Sequence, residues 1–190
     1  MKMIQDVSTA YHGENKPVIV VINSGSVIET TSWSAYPDAI LLAWQPGEEG
    51  GNSVADILTG KICPSGRLTM TWPLAATDHP STKNFPQDID LFTYENLASG
   101  GAPIPTRSFT KHEEGIWIGY RFFDTFHRQV AYPFGYGLSY TTFEYHGMTV
   151  KRNGNKLVVS VNVKNTGSVA GKEVAQVYVA APKGRLEKPA

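Results

Sequence analysis

The sequence predicts an α/β unit followed by the opening strands of a β-sandwich. Three patterns carry that reading. Two near-continuous apolar runs, PVIVVIN at 17–23 and DAILLAW at 38–44, have strand length, and such runs belong to strands buried on both faces, as in a parallel sheet. The segment NSVADILTG behind them has the helical period. From about residue 144 the texture becomes pure alternation. In KLVVSVNVKN, Leu157, Val159, Val161 and Val163 fall on one face, and Val158, Ser160, Asn162 and Lys164 on the other.

Taken in order, Ile4, Val7 and Tyr11 sit at helical spacing near the N-terminus. The first apolar run ends at Ser24-Gly25. The second leads into the helix pattern, where Val54, Ile57 and Leu58 share a face and Gly60 supplies a stop. PSG turns the chain, and RLTMTW at 67–72 alternates like a further strand. Strand, connection, strand, helix, strand is α/β organisation with a parallel sheet. Residues 73–112 are rich in Pro, Ser, Thr, Asn and Gly with little periodicity. A loop of that length is functional or wraps another domain. Residues 113–143 form an aromatic-rich linker, with GIWIGYRFFDTF and then most of YPFGYGLSYTTFEY at 132–145. Beyond it NTGSVAG has turn chemistry and EVAQVYVAA reads as the next strand. A complete sandwich needs about seven strands and about 100 residues. Residues 144–190 are too few, so the expectation is a truncated domain. The predicted divisions are therefore 1–112, 113–143 and 144–190.

Composition narrows the function. Seventeen basic residues balance seventeen acidic ones, with no Lys/Arg block to mark a nucleic-acid or anionic-membrane partner. Hydrophobic residues make up 41% and charged ones 18%, enough apolar material for a packed core. The apolar runs are too short to span a bilayer. Cys63 is the single cysteine, so no internal disulfide forms. The opening MKMIQDVSTAYHGENK has no apolar signal core, and localisation stays open.

The acidic turn in WQPGEEGGNSVADILTG is the first candidate site. It lacks the Lys and Ser/Thr of a phosphate loop, and two carboxylates repel phosphate. A carboxylate in a first helical turn is held as the anion, which suits a base or acceptor and disfavours a general acid. Glu48 or Glu49 is expected to cap helix donors near a strand end where α/β ligand sites form. Glu113 and Glu114 are a second acidic pair, expected to meet Arg121 or another cation. His12, His79, His112, His127 and His146 show no metal-ligand spacing. GLSYT lacks the last glycine of a nucleophile elbow. Cys63 reads as an inert thiol. Trp33, Trp44, Trp72, Trp117, Tyr120, Phe122 and Phe123 could stack on sugar rings, but read as core or interface residues. The residues alone give no catalytic constellation, no metal site and no cofactor.

Four stretches nevertheless resemble the C-terminal half of glycoside hydrolase family 3, the β-glucosidase and β-xylosidase family. They are KPVIVVINSGSVIE, DAILLAWQPGEEGGNSVADILTGKICPSGRLTMTWP, HEEGIWIGYRFFDTFHRQVAYPFGYGLSYTTFEY and VNVKNTGSVAGKEVAQVYVAAPKGRLEKPA, in the family's order. STKNFP at 81–86 is similar to a bacterial β-glucosidase branch. The resemblance implies a parent with a barrel bearing an aspartate nucleophile, an α/β sandwich domain bearing a general acid/base glutamate, and a fibronectin type III-like domain. Its chemistry would be retaining hydrolysis by two carboxyl groups about 5 Å apart. The acid/base position lies upstream of PVIVVIN, and Glu14, in YHGENK, does not match it. The implied partners are therefore a β-glucoside or related oligosaccharide and the N-terminal barrel, both met in the full-length parent. The chain alone is expected to hydrolyse nothing. Leu91–Pro105 is expected to lose order, and apolar surface to be exposed, without the barrel. Two other readings are a non-catalytic carbohydrate-binding module and a small hydrolase using Glu48, Glu49, Glu113 or Glu114.

Overall fold

The computed structural model describes residues 2–84, 111–180, 182, 184 and 187–189. The expectation for Leu91–Pro105, most of the loop 73–112 and the end of STKNFP lie outside the described residues.

Helix α1 spans Lys2–His12, matching the spacing of Ile4, Val7 and Tyr11. Strands β1 (Ile19–Ile22) and β2 (Ala39–Leu42) pair in parallel, Ile19 opposite Ala39 through Ile22 opposite Leu42. The sheet is less enclosed than the apolar runs suggested. Ile22 is buried and Val20 half-buried, while Ile19 and Val21 are 45% and 41% exposed. The alternation shows that one face of β1 packs on the core and the other is bare. Helix α2 spans Gly50–Leu58 and ends where expected, with Gly60 at φ +74° donating its N–H to Ile57 O.

The third strand differs from expectation. RLTMTW yields only β3, Trp72–Pro73, which pairs antiparallel with β4 (Val130–Tyr132) from the aromatic segment. Residues before it bond to a different neighbour: Leu68 N–H donates to Tyr136 O at 2.8 Å, and Gly135 N–H to Leu68 O at 2.8 Å. The chains come so close there that a Cβ on Gly137 would sit 2.5 Å from Gly66 O. Glycine is required by that approach.

The aromatic segment also forms helix α3, Tyr120–Thr125. Its C-terminus closes with two backbone bonds, Arg128 N–H to Phe123 O and His127 N–H to Asp124 O, with His127 at φ +50°. This is a Schellman cap with histidine at the left-handed position that usually holds glycine.

Strands β5 (Phe143–Asn153) and β6 (Lys156–Asn165) form a hairpin with Gly154 at φ +59° in its turn. One extra residue in β5 interrupts the register between His146 and Thr149, with Gly147 at φ +66°. This bulge restores the apolar pattern. Tyr145 faces Val163 before it and Val150 faces Val159 after it, although 145 and 150 have opposite parity.

The expected strand EVAQVYVAA is irregular instead over its described residues. No strand lies beside it among the described residues, so its extended propensity finds no ladder. Side chains hold it. Arg67 Nη2 meets Glu173 Oε2 at 2.6 Å, each side chain 12% exposed. Gln176 packs over Gly135, and Tyr178 meets Tyr120 edge-on at 6.0 Å.

The core of the α/β unit is Ile22, Trp33 and Trp72, at 6%, 3% and 2% exposure. Trp72 stacks edge-on with Trp44 at 6.3 Å and with Tyr132 at 6.1 Å. Trp33 Nε1 donates to Glu29 O at 2.7 Å, and Thr31 Oγ1 to Leu74 O at 3.0 Å, tying the β1–β2 connection to the chain after β3. Of the aromatics weighed as sugar platforms, Trp33, Trp72 and Phe123 are buried, and Trp44, Trp117, Tyr120 and Phe122 half-buried. The architecture is mixed α/β, with three two-stranded sheets among the described residues.

Three substitutions test this account in urea denaturation. Trp72→Ala should lower stability by about 3–5 kcal/mol, the cost of emptying a buried aromatic site. Arg67→Ala should cost about 1.5–3 kcal/mol by taking the cation from the part-buried Glu173 carboxylate, against about 0–1 kcal/mol for Lys61→Ala in the exposed Lys61–Asp56 pair. Equal effects at Arg67 and Lys61 would remove the inter-segment ion pair from the account.

Candidate functional site

Parallel strands place functional loops at their carboxyl ends. Here those loops are residues 23–26 after β1 and 43–49 after β2. They meet directly. Ala43 N–H donates to Ile22 O at 2.8 Å, and a Cβ on Gly25 would lie 2.7 Å from Gln45 Nε2. Trp44 adopts φ +54° at this edge, a left-handed conformation costly for a bulky side chain. Its contact with Trp72 holds it there. Sequence reasoning missed this strained tryptophan; the only local signal is the Pro46-Gly47 turn that follows it.

Glu48 and Glu49 stand exposed in the turn before α2. The expected capping role changes form. Glu49 is the N-cap residue, yet its side chain makes no bond to the helix backbone; Oε2 accepts from Asn52 Nδ2 at 2.7 Å. The backbone caps instead, with Ser53 N–H donating to Glu49 O at 2.9 Å. Gly50 fits under Pro46, where a Cβ would come within 2.6 Å of the ring.

The second acidic pair finds cations other than Arg121. Glu113 Oε2 lies 3.3 Å from Lys83 Nζ and accepts from Asn84 Nδ2 at 3.2 Å. Asn84 also donates to Lys111 O at 3.1 Å, so it clasps the two described segments on either side of 85–110. Glu114 Oε1 lies 3.1 Å from His112 Nδ1. The Glu114 side chain is 5% exposed, and Oε2 is buried without a donor among the described residues. The Asn84 hydrogen bond and then Lys83 hold the Glu113 carboxyl below its ordinary range. Its own backbone N–H and then His112 do the same for Glu114, against the opposing effect of burial. Arg121, on α3, is a partner of neither carboxylate.

The histidines are dispersed. His12 Nε2 meets Asp38 Oδ2 at 2.8 Å, and the same oxygen accepts from Val18 N–H at 2.7 Å. His79 stands edge-on to Phe123 at 5.4 Å, and burial lowers its pKa, opposed by nearby Asp78. No group of three or more His, Cys, Asp or Glu converges among the described residues. Cys63 Sγ is half-buried, 3.2 Å from Ser139 Oγ.

These directions fix the pH response. His79 has a lowered folded pKa, so the unfolded chain takes up its proton first; stability falls as pH drops through about 6.5, the ordinary histidine value. Glu113 and Glu114, also lowered, contribute stability above the ordinary value of 4.5 that is lost as pH falls through their folded pKa values. Melting temperature against pH should therefore show two acid-side declines. His79→Leu should remove the upper one and Glu113→Gln should shrink the lower one; an unchanged profile in both variants would contradict these assignments.

Comparison with known proteins gives a consistent picture. Residues 2–140 match the model of the glycosyl hydrolase family 3 C-terminal domain. The chain is similar to β-glucosidase A of Butyrivibrio fibrisolvens, 40% identical over 194 residues, covering 91% of this chain and 21% of that protein. It is also similar to the exo-α-(1→6)-L-arabinopyranosidase of Bifidobacterium longum, 38% identical over 92% of this chain and 21% of the relative. Among solved structures, β-glucosidase 3B of Thermotoga neapolitana in complex with glucose superposes with a TM-score of 0.84 at 45% identity, over 99% of this chain and 24% of that one. The chain thus spans about a fifth of the length of these curated relatives.

Proposed function

This chain belongs to glycoside hydrolase family 3, and from that membership we propose that it is a piece of the C-terminal portion of a retaining β-glycosidase that acts on β-glucosides. In this reading residues 1–112 are part of the α/β sandwich domain, 113–143 connect it onward, and 144–190 begin a fibronectin type III-like sandwich. The nucleophile and the acid/base residue belong to other parts of the parent, and the barrel is the missing partner of this chain.

One observation carries the division of labour. The two acidic pairs are engaged as anions or turn residues. Glu113 and Glu114 are held below the ordinary carboxyl range by Asn84, Lys83, His112 and a backbone N–H. A general acid must keep its proton near neutral pH, so its pKa is raised. These two carboxyls are tuned the opposite way. Glu49 is occupied by Asn52 in an exposed turn. The acidic turn therefore shapes the entry to α2, and Trp44, strained at the same edge, packs on Trp72.

Hydrolysis of chromogenic aryl β-glucoside and β-xyloside by the purified 190-residue chain tests the proposal. No turnover is expected from the folded chain, and addition of a separately produced parent barrel is the condition under which activity should return. Turnover by the chain alone, abolished by Glu49→Gln or Glu114→Gln, would place the catalytic carboxyls here and defeat the reading.

A further inference from the structure

The hairpin of β5 and β6 leaves the outer edge of β5 without a strand beside it among the described residues. Every residue from 144 to 152 is exposed. A free edge of this length is a row of backbone donors and acceptors, and a template for one more strand. The side chains decide what that strand can be.

The register with β6 sorts β5 into two faces. Tyr145 and Val150 lie on the face of Val163 and Val159, and Glu144 and Lys151 lie on the opposite one. Tyr145 and Val150 are 47% and 55% exposed, so each has apolar surface still to bury. Glu144 has Lys164 opposite it across the hairpin, yet no ion pair closes there, and Lys151 has no ion-pair partner among the described residues.

A second copy of β5 matches this edge. Laid antiparallel about a two-fold axis between Gly147 and Met148, it sets Tyr145 opposite the partner's Val150 and Glu144 opposite the partner's Lys151, each twice by symmetry. The apolar row continues from one copy into the next, and Glu144 gains a lysine on its open side. Aromatic–aliphatic and opposite-charge pairs are the contacts that stabilise neighbouring strands. A slip of one residue would turn the apolar side chains to the polar face. A slip of two would set Lys151 against His146 or Thr142 instead of Glu144. The bulge at Gly147 would bend a lone edge away from a straight strand. Here it falls on the axis in both copies, so the two strands bend together. The outer edge of β6 lacks this match: antiparallel pairing centred on Ser160 would set Lys156 against the partner's Lys164, and like charges directly opposite oppose pairing.

We propose that two copies of this chain associate edge to edge through β5, making one four-stranded sheet in the order β6–β5–β5–β6. The contact is isologous, so it closes on itself as a dimer. It uses the hairpin alone and does not rest on the glycosidase reading.

Sedimentation velocity of the 190-residue chain over a range of concentrations tests the proposal. A reversible monomer–dimer equilibrium is expected. Glu144→Lys and Lys151→Glu should each weaken it by about tenfold or more, because two attractive cross-strand pairs become repulsive. The double variant should dimerise again, with the signs exchanged. Equimolar mixing of the two single variants should also restore association, as a heterodimer. Where a variant loses the circular dichroism of the unaltered chain, amide hydrogen exchange of the unaltered chain reads the same contact, with protection within 144–152 rising as concentration rises. The proposal is overturned by a chain that is monomeric throughout, by a dimer that both single variants leave unchanged, by failure of both the double variant and the mixture to associate, or by protection that rises elsewhere and not in 144–152.

Discussion

The buried indole of Trp72 is the contact on which the α/β part of this chain depends. It sits on a strand of two residues, too short to be stable through its own ladder. Its stability comes from packing: Ile22 and Trp33 on the side of the parallel pair, Trp44 from the end of β2, and Tyr132 from β4. Because Tyr132 lies beyond residues 85–110, the same indole brings the aromatic segment back to the first strands. Aromatic side chains bury large areas for few rotatable bonds, so a few of them can close a long excursion that hydrogen bonding alone would leave loose. The pairing of Tyr132 with Tyr136 at 5.1 Å extends the stack toward Leu68 and the glycine contact between residues 66 and 137.

That arrangement separates two edges with different character. At the carboxyl end of the parallel strands a strained tryptophan and an acidic turn sit close together, but the acids are exposed or matched to amide groups. At the end of the β3–β4 ladder the Asp78 carboxylate accepts the Ala75 N–H, and the backbone of Arg128 closes the cap of α3. Membership of a glycosidase family explains the scaffold that both edges share. It does not by itself assign chemistry to either, because function resides in the groups placed on a scaffold. Glu113 and Glu114 are tuned toward the ionised state, which fits structural anions and opposes proton donation.

Much of this was legible in the residues. Ile4, Val7 and Tyr11 announced α1, the β-branched runs announced β1 and β2, and Gly60 marked the end of α2. The strand β6 followed from alternation, whereas its partner β5 was announced only by the change of texture near residue 144. What failed did so for physical reasons. RLTMTW has the right pattern for a strand, but close glycines divert it to residues 135 and 136 before Trp72. EVAQVYVAA has the propensity and lacks a neighbouring strand among the described residues. The burial of β1 on both faces was inferred from composition, which reports what a strand can bury and not what lies against it; Ile19 and Val21 are left outside. The partners of Glu113 and Glu114 come from Lys83, Asn84 and His112, and only the first two are distant in sequence.

The bulge at Gly147 acts as a phase shifter for the hairpin. Side chains in a strand change sides with every step, so the single added residue reverses the sense of all that follows it. Phe143 and Tyr145 share a surface with Val150 only because the count was altered between them. The amino-acid identities downstream are thus readable only relative to that insertion. A one-residue shortening there would conserve every apolar side chain and still turn half of the strand inside out.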